Sequence, residues 1–106
     1  MRTFKVAAAI PWKDGTETAI GVAVEVEFNK DNPRVANLVL ADKTKKVIKV
    51  ERLHHFLKGF AKPPGMRTLE RYSMDSVCKS IYGKRVEPDG WDADGSPSWL
   101  LALGII

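Results

Sequence analysis

The sequence predicts an α+β fold: an antiparallel three- to four-stranded meander followed by two helices and a docked C-terminal tail. Three observations carry this. Between Thr18 and Phe28 the residues Ile20, Val22, Val24, Val26 and Phe28 recur at every second position, the period of a half-buried strand. From Glu51 the spacing changes to three or four, with Leu53, Phe56, Leu57 and Phe60 forming a helical stripe. The run from Trp99 to Ile106 is wholly apolar and has no polar extension, so something must cover it.

Thr3 to Ile10 makes the first strand, with Phe4, Val6, Ala8 and Ile10 on one face. Trp12-Lys13-Asp14-Gly15-Thr16 turns the chain, since Asp-Gly is a strong hairpin signal. Thr18 to Phe28 returns, so residues 3–28 form a long hairpin whose apolar face runs from Ile20 to Phe28. The opposite face is small at Ala19, Gly21 and Ala23 and acidic at Glu25 and Glu27. Asn29 to Pro33 is a turn cluster. Val35 to Ala41 and Lys46 to Val50 are shorter strands, split by Asp42-Lys43-Thr44-Lys45. Val35, Leu38 and Val39 also fit a helical stripe, but the run is short and branched, which favours strand.

Glu51 to Phe60 suits a short helix, and Lys62-Pro63-Pro64-Gly65 breaks it. Thr68 caps a second helix over Leu69–Tyr82. Its apolar side holds Leu69, Met74, Val77, Cys78, Ile81 and Tyr82, an Asp75–Lys79 pair lies four apart, and Gly83 ends it. Turns at Glu87–Gly90 and Asp94–Pro97 flank Trp91. Ser96-Pro97 reads as an N-cap followed by proline at the first helical position.

The 106 residues are 44% hydrophobic and 28% charged, which fits a single domain over 1–106 and argues against disorder. One cysteine excludes a disulfide framework. The apolar run from Val6 meets Pro11 too soon for a signal peptide, whose core needs roughly 7–15 residues. The tail is far short of the roughly 20 residues of a membrane span. A cytoplasmic protein with no membrane association is expected, and the lone Cys78 fits a reducing compartment.

The net charge of +4 is unevenly placed. Residues 30–85 carry 14 basic and 5 acidic side chains, a balance of +9, between ends of −1 and −4. A basic surface attracts phosphates by its field and by counterion release. The nucleic-acid candidates are Lys43, Lys45, Lys46, Lys49 and Arg52, then Lys58, Lys62, Arg67 and Arg71. The start of the second helix, from Met66 to Tyr72, is similar to recognition helices of helix-turn-helix proteins. The connection before it exceeds the three or four residues of that motif.

No catalytic constellation emerges. His54 and His55 are adjacent, so a helix points them about 100° apart. With one cysteine they complete no zinc set. Cys78 among Met74, Val77 and Ile81 reads as a small core residue. Asp89, Asp92 and Asp94 miss both end ligands of a calcium loop and suit Asx-turns. There is no phosphate-cradling glycine loop and no nucleophile elbow. A non-enzymatic protein without metal or cofactor is expected.

The stretch from Val86 to Gly104 reads V-E-P-D-G, then G-S-P-S-W-L-L-A-L-G. It resembles the C-terminal ends of small uncharacterised bacterial and bacteriophage proteins with that pattern. The resemblance covers the last quarter of the chain and implies a shared structural ending and a phage or mobile-element origin, but no activity. In some of those proteins the loop carries cysteines or histidines; here Trp91, Asp92 and Ala93 stand there, so no metal is implied. The expectation is a small binding protein that contacts nucleic acid or a nucleoprotein through the basic middle. The alternative is an accessory factor or inhibitor of a host enzyme, or a homodimer, that uses Trp91, Trp99, Leu100 and Leu103 of the tail.

Overall fold

The computed structural model describes residues 2–106. A four-stranded antiparallel sheet forms its centre: β1 (Arg2–Lys5), β4 (Ala23–Phe28), β5 (Val35–Val39) and β6 (Lys45–Lys49), side by side in that order. The short β2 (Ile10–Pro11) and β3 (Glu17–Thr18) pair at the tip of the first hairpin. The meander followed by helices is the predicted α+β class.

The hairpin keeps one register throughout, from Arg2 opposite Val26 to Ile10 opposite Thr18. It opens in the middle. Ala7 and Ala8 N–H turn away to the Phe56 carbonyl, at 2.6 and 3.3 Å, and Val6 bridges Leu57. The Lys58 N–H also donates to the Lys5 carbonyl at 2.9 Å. Residues 56–58 thus pair with the chain at and just after the end of β1. Opposite the gap, Gly21 takes a left-handed backbone and breaks the alternation. Ile20 and Val22, expected on the buried face, are 67% and 36% exposed as a result.

One sheet face, with Val24, Val26, Ala36, Leu38 and Ile48, is the floor of the core. Leu53, Leu57, Phe60, Leu69, Ile81 and Leu100 cover it. Full burial of each aliphatic side chain contributes about 1.5–3 kcal/mol. The other face carries Lys5, Glu25, Glu27, Asn37, Lys45 and Lys49, which matches the polar half of the alternation.

The helices are shorter than their apolar stripes suggest. Val50–Arg52 is a 3-10 turn, and α1 covers only Leu53–Phe56. Leu57 is extended because Phe56 to Lys58 bond to β1 instead of continuing the helix. The next helix, α2, runs Met66–Met74, not to Tyr82, and Asp75 is extended. Cys78, Ile81 and Tyr82 lie in a hairpin of β7 (Cys78–Lys79) and β8 (Arg85–Val86). Bonds from distant chain override the helical spacing there: Ile81 N–H donates to the Pro97 carbonyl, and Ser80 bridges Ser98. The Asp75–Lys79 pair is therefore not helical.

The tail docks. The last helix, α3 (Trp99–Ala102), is capped by Ser98, whose hydroxyl accepts from Leu101 N–H at 3.1 Å. The predicted cap, Ser96 with Pro97, is displaced two residues because Pro97 is extended and bridges Trp91. Trp99, Leu100 and Ala102 are buried in the core.

Four hairpin turns share one geometry: residues 12–16, 40–44, 80–84 and 92–96. In each, the first N–H donates to the fifth carbonyl, and the fourth N–H to the first carbonyl. The fourth residue has a left-handed backbone in every case: Gly15, Lys43, Gly83 and Gly95. This is a type I turn closed by a G1 bulge, where glycine is the low-cost residue. Lys43, at φ 70°, is the one non-glycine with positive φ among the described residues.

Candidate nucleic-acid interface along the outer strand

The sheet has two edges with different fates. Residues 56–58 bond to the Lys5 end of β1 and to the chain just after it, whereas β6 has no strand on its outer side among the described residues. Bonds from Val50 N–H to Arg34 and from Leu40 N–H to Thr44, both 2.9 Å, set the alternation of the β5–β6 ladder. By that alternation the backbone groups of Lys45, Val47 and Lys49 point outward from the sheet.

Five predicted cations lie along this edge and its two ends. Lys43 stands on the turn before β6, Lys45, Lys46 and Lys49 lie within it, and Arg52 follows in the 3-10 turn. Two are engaged: Lys45 Nζ is 3.1 Å from Glu27 Oε1, and Lys46 Nζ is 2.9 Å from Asp14 Oδ2. Hydrogen bonds from Thr16, then Lys46, hold the Asp14 carboxyl well below the usual carboxylate range. Hydrogen bonds from Lys45, then Asn37, lower that of Glu27. Lys43, Lys49 and Arg52 have no ion pair among the described residues.

A groove of about 750 Å³ runs between β6 and the tip of the first hairpin. Pro11, Trp12, Val47, Ile48 and Phe56 supply apolar lining, and Lys13, Lys46, Lys49 and Arg52 supply positive charge against the carboxylates of Asp14 and Glu51. The Trp12 indole N–H donates to Thr18 Oγ1 at 2.8 Å, which fixes the ring. Lys46 Nζ lies 5.9 Å from its centroid, and the Arg52 guanidinium lies 5.6 Å from that of Phe56. Trp12, Lys13 and Phe56 were not among the predicted site residues. The one sequence signal for the first two is their place at the Asp14-Gly15 turn. Which strand that tip would reach is a long-range matter.

The other predicted cations are not brought to this surface. Lys58 lies on the segment bonded to the end of β1 and is not among the residues that line the groove. Lys62 is exposed in the segment that follows. Arg67 and Arg71 are exposed on α2, which packs on α3 and β7. Nine residues, 57–65, separate α1 from α2, so the helix-turn-helix likeness has no structural counterpart. The nine candidates are thus not one patch.

The tail candidates also divide. Trp99 and Leu100 are core residues, 4% and 0% exposed, and the domain itself covers them, so they are not the expected partner contacts. Trp91 and Leu103 are half-buried.

Asp92 and Asp94 have structural partners, whereas the buried His54 Nδ1 and Tyr82 hydroxyl have none among the described residues. Burial pushes Asp92 up, but hydrogen bonds from Ser80 and Ser96 outweigh it and hold the carboxyl below its usual range. Asp94 pairs with Arg2 at 2.9 Å. Burial pushes the Cys78 thiol up. Burial, then the neighbouring His55, lowers His54. Among the described residues no group of three or more His, Cys, Asp or Glu is placed to hold a metal ion. No described helix is long and apolar enough to cross a membrane.

No protein-family model matches this chain, and no curated protein or solved structure matches it significantly. The interface is therefore read from its own chemistry.

Proposed function

We propose that this is a small non-enzymatic nucleic-acid-binding protein and that β6, with the turns at its two ends, is the contact surface. The supporting observation is Lys43. Three sister turns place glycine at the left-handed position, and this one places lysine. A non-glycine residue there costs roughly 1–2 kcal/mol. That strain keeps a cation at the start of a strip that continues through Lys49 and Arg52. Strain held at an exposed charged position is the kind of outlier that marks a functional site.

Phosphate binding would release counterions, so affinity must fall with salt. Lys13, Lys43, Lys49 and Arg52 are the cations here without an ion pair among the described residues. Four phosphate contacts on a single strand give a log–log salt slope of about −3. A salt titration of oligonucleotide binding tests this. The double variant Lys49→Gln/Arg52→Gln should flatten the slope, and Arg67→Gln/Arg71→Gln should leave it in place. Salt-independent binding, or loss only in the α2 variant, contradicts the proposal.

A further inference from the structure

We infer that the groove between β6 and the first hairpin seats an unpaired nucleobase, so that the protein prefers single-stranded nucleic acid. This rests on the nucleic-acid reading above and names the form of ligand. The groove combines two chemistries in one place. Its lining holds the rings of Trp12 and Phe56, and the cations Lys13, Lys46, Lys49 and Arg52 outnumber the carboxylates Asp14 and Glu51 there. A nucleotide has the matching halves, an apolar aromatic face and a phosphate. In a duplex the base faces are stacked on one another, so only base edges, sugars and phosphates are accessible. Aromatic side chains beside a cationic track are how single strands are held without sequence readout.

Preorganisation supports the assignment. The Trp12 ring is held by its bond to Thr18, and Lys46, which Asp14 anchors, lies over one face and leaves a base the other. The ring is already placed before any ligand arrives, so little ordering entropy is lost on binding. The volume of about 750 Å³ lies within the roughly 300–1,000 Å³ of small-molecule sites.

The open backbone of β6 suggests another occupant, an extended acidic peptide added as a strand. The side chains oppose it. Lys45 and Lys49 stand on that edge, and lysines on edge strands are a device against strand pairing. The fixed rings have no part in a backbone ladder, whereas a nucleobase uses them directly.

The test is fluorescence anisotropy at low salt with four labelled probes: mixed-sequence single-stranded DNA of about 12 nucleotides, a length within known single-strand site sizes; its duplex; an abasic strand of equal length; and a poly-glutamate peptide. The single strand should bind about ten-fold or more tightly than the duplex or the abasic strand, the scale of one stacked base. Trp12→Leu should remove that advantage, Trp12→Phe should keep most of it, and duplex affinity should change less than about two-fold in both. The abasic probe needs no variant, so the outcome stands even if Trp12→Leu fails to fold. Equal binding of single strand, duplex and abasic strand overturns the base site but leaves nucleic-acid binding intact. No binding of any oligonucleotide overturns both. Tight binding of the peptide, competed by none of the oligonucleotides, assigns the edge to strand addition and overturns the inference.

Discussion

Replacing Lys43 with glycine should make the protein more stable and a weaker nucleic-acid binder. Lys43 sits at φ 70°, where a residue with a Cβ costs roughly 1–2 kcal/mol. Glycine removes that strain but loses more backbone freedom on folding, a cost of about 0.5–1 kcal/mol. The net gain is about 0.5–1 kcal/mol. For a domain of this size, 1 kcal/mol moves the melting temperature by about 4–8 °C, so Lys43→Gly should raise it by about 2–8 °C. The rest of the turn is retained, since Asp42 Oδ1 accepts from Thr44 N–H at 3.0 Å in either case. Thermal unfolding followed by circular dichroism reads the shift. Gly15→Ala, at φ 85° in a sister turn, should move it the opposite way by about 1 kcal/mol or more. In binding, Lys43→Gly should reduce the salt slope by about 0.7 through loss of one phosphate contact. An unchanged or lower melting temperature would show that Lys43 is not strained. A stabilised variant with unchanged affinity would show that its charge is not used in binding.

Three further outcomes follow from the packing. Leu100→Ala, at a fully buried site, should destabilise by about 2–5 kcal/mol in denaturant unfolding, and removal of residues 99–106 should leave no cooperative transition. Asp92 is held below its ordinary 3.8 in the folded protein, so the unfolded chain takes up its proton first on acidification. Its contribution is full above that value and is lost as pH falls through the folded one, and Asp92→Asn should flatten that part of an acid unfolding curve. The Cys78 thiol, buried and shifted upward, should resist a disulfide reagent at neutral pH until the protein is unfolded; rapid reaction in the native state would contradict its placement.

Local signals in the sequence were read well where neighbours along the chain decide structure. Asp14-Gly15 forms the hairpin turn, and Val35–Val39 and Lys45–Lys49 are strands. Alternation placed Val24 and Val26 in the core. It failed at Ile20 and Val22 because the hairpin opens to admit Phe56 and Leu57, residues more than thirty positions away. The stripe from Leu69 to Tyr82 suited a helix, but Ser80 and Ile81 find their partners in Pro97 and Ser98. Periodicity reports which face is apolar and says nothing of which distant segment will pair with it. The same limit applied to the site. The basic run was visible as composition, and Lys46, Lys49 and Arg52 do share a groove. Lys58 lies on the segment beside β1 and not on β6, and Trp12 joins the groove from the tip of the first hairpin. Trp99 and Leu100 looked like a partner surface because the sequence cannot show what covers an apolar end.

Chemical-shift mapping tests the central claim most directly. A ¹⁵N-labelled sample titrated with a short mixed-sequence single strand should show its largest amide shifts at residues 12–14 and 43–52, diminishing as salt is added. Shifts confined to α2, to Lys58 and Lys62, or to the C-terminal tail would place binding elsewhere and contradict the assignment of β6 as the nucleic-acid surface.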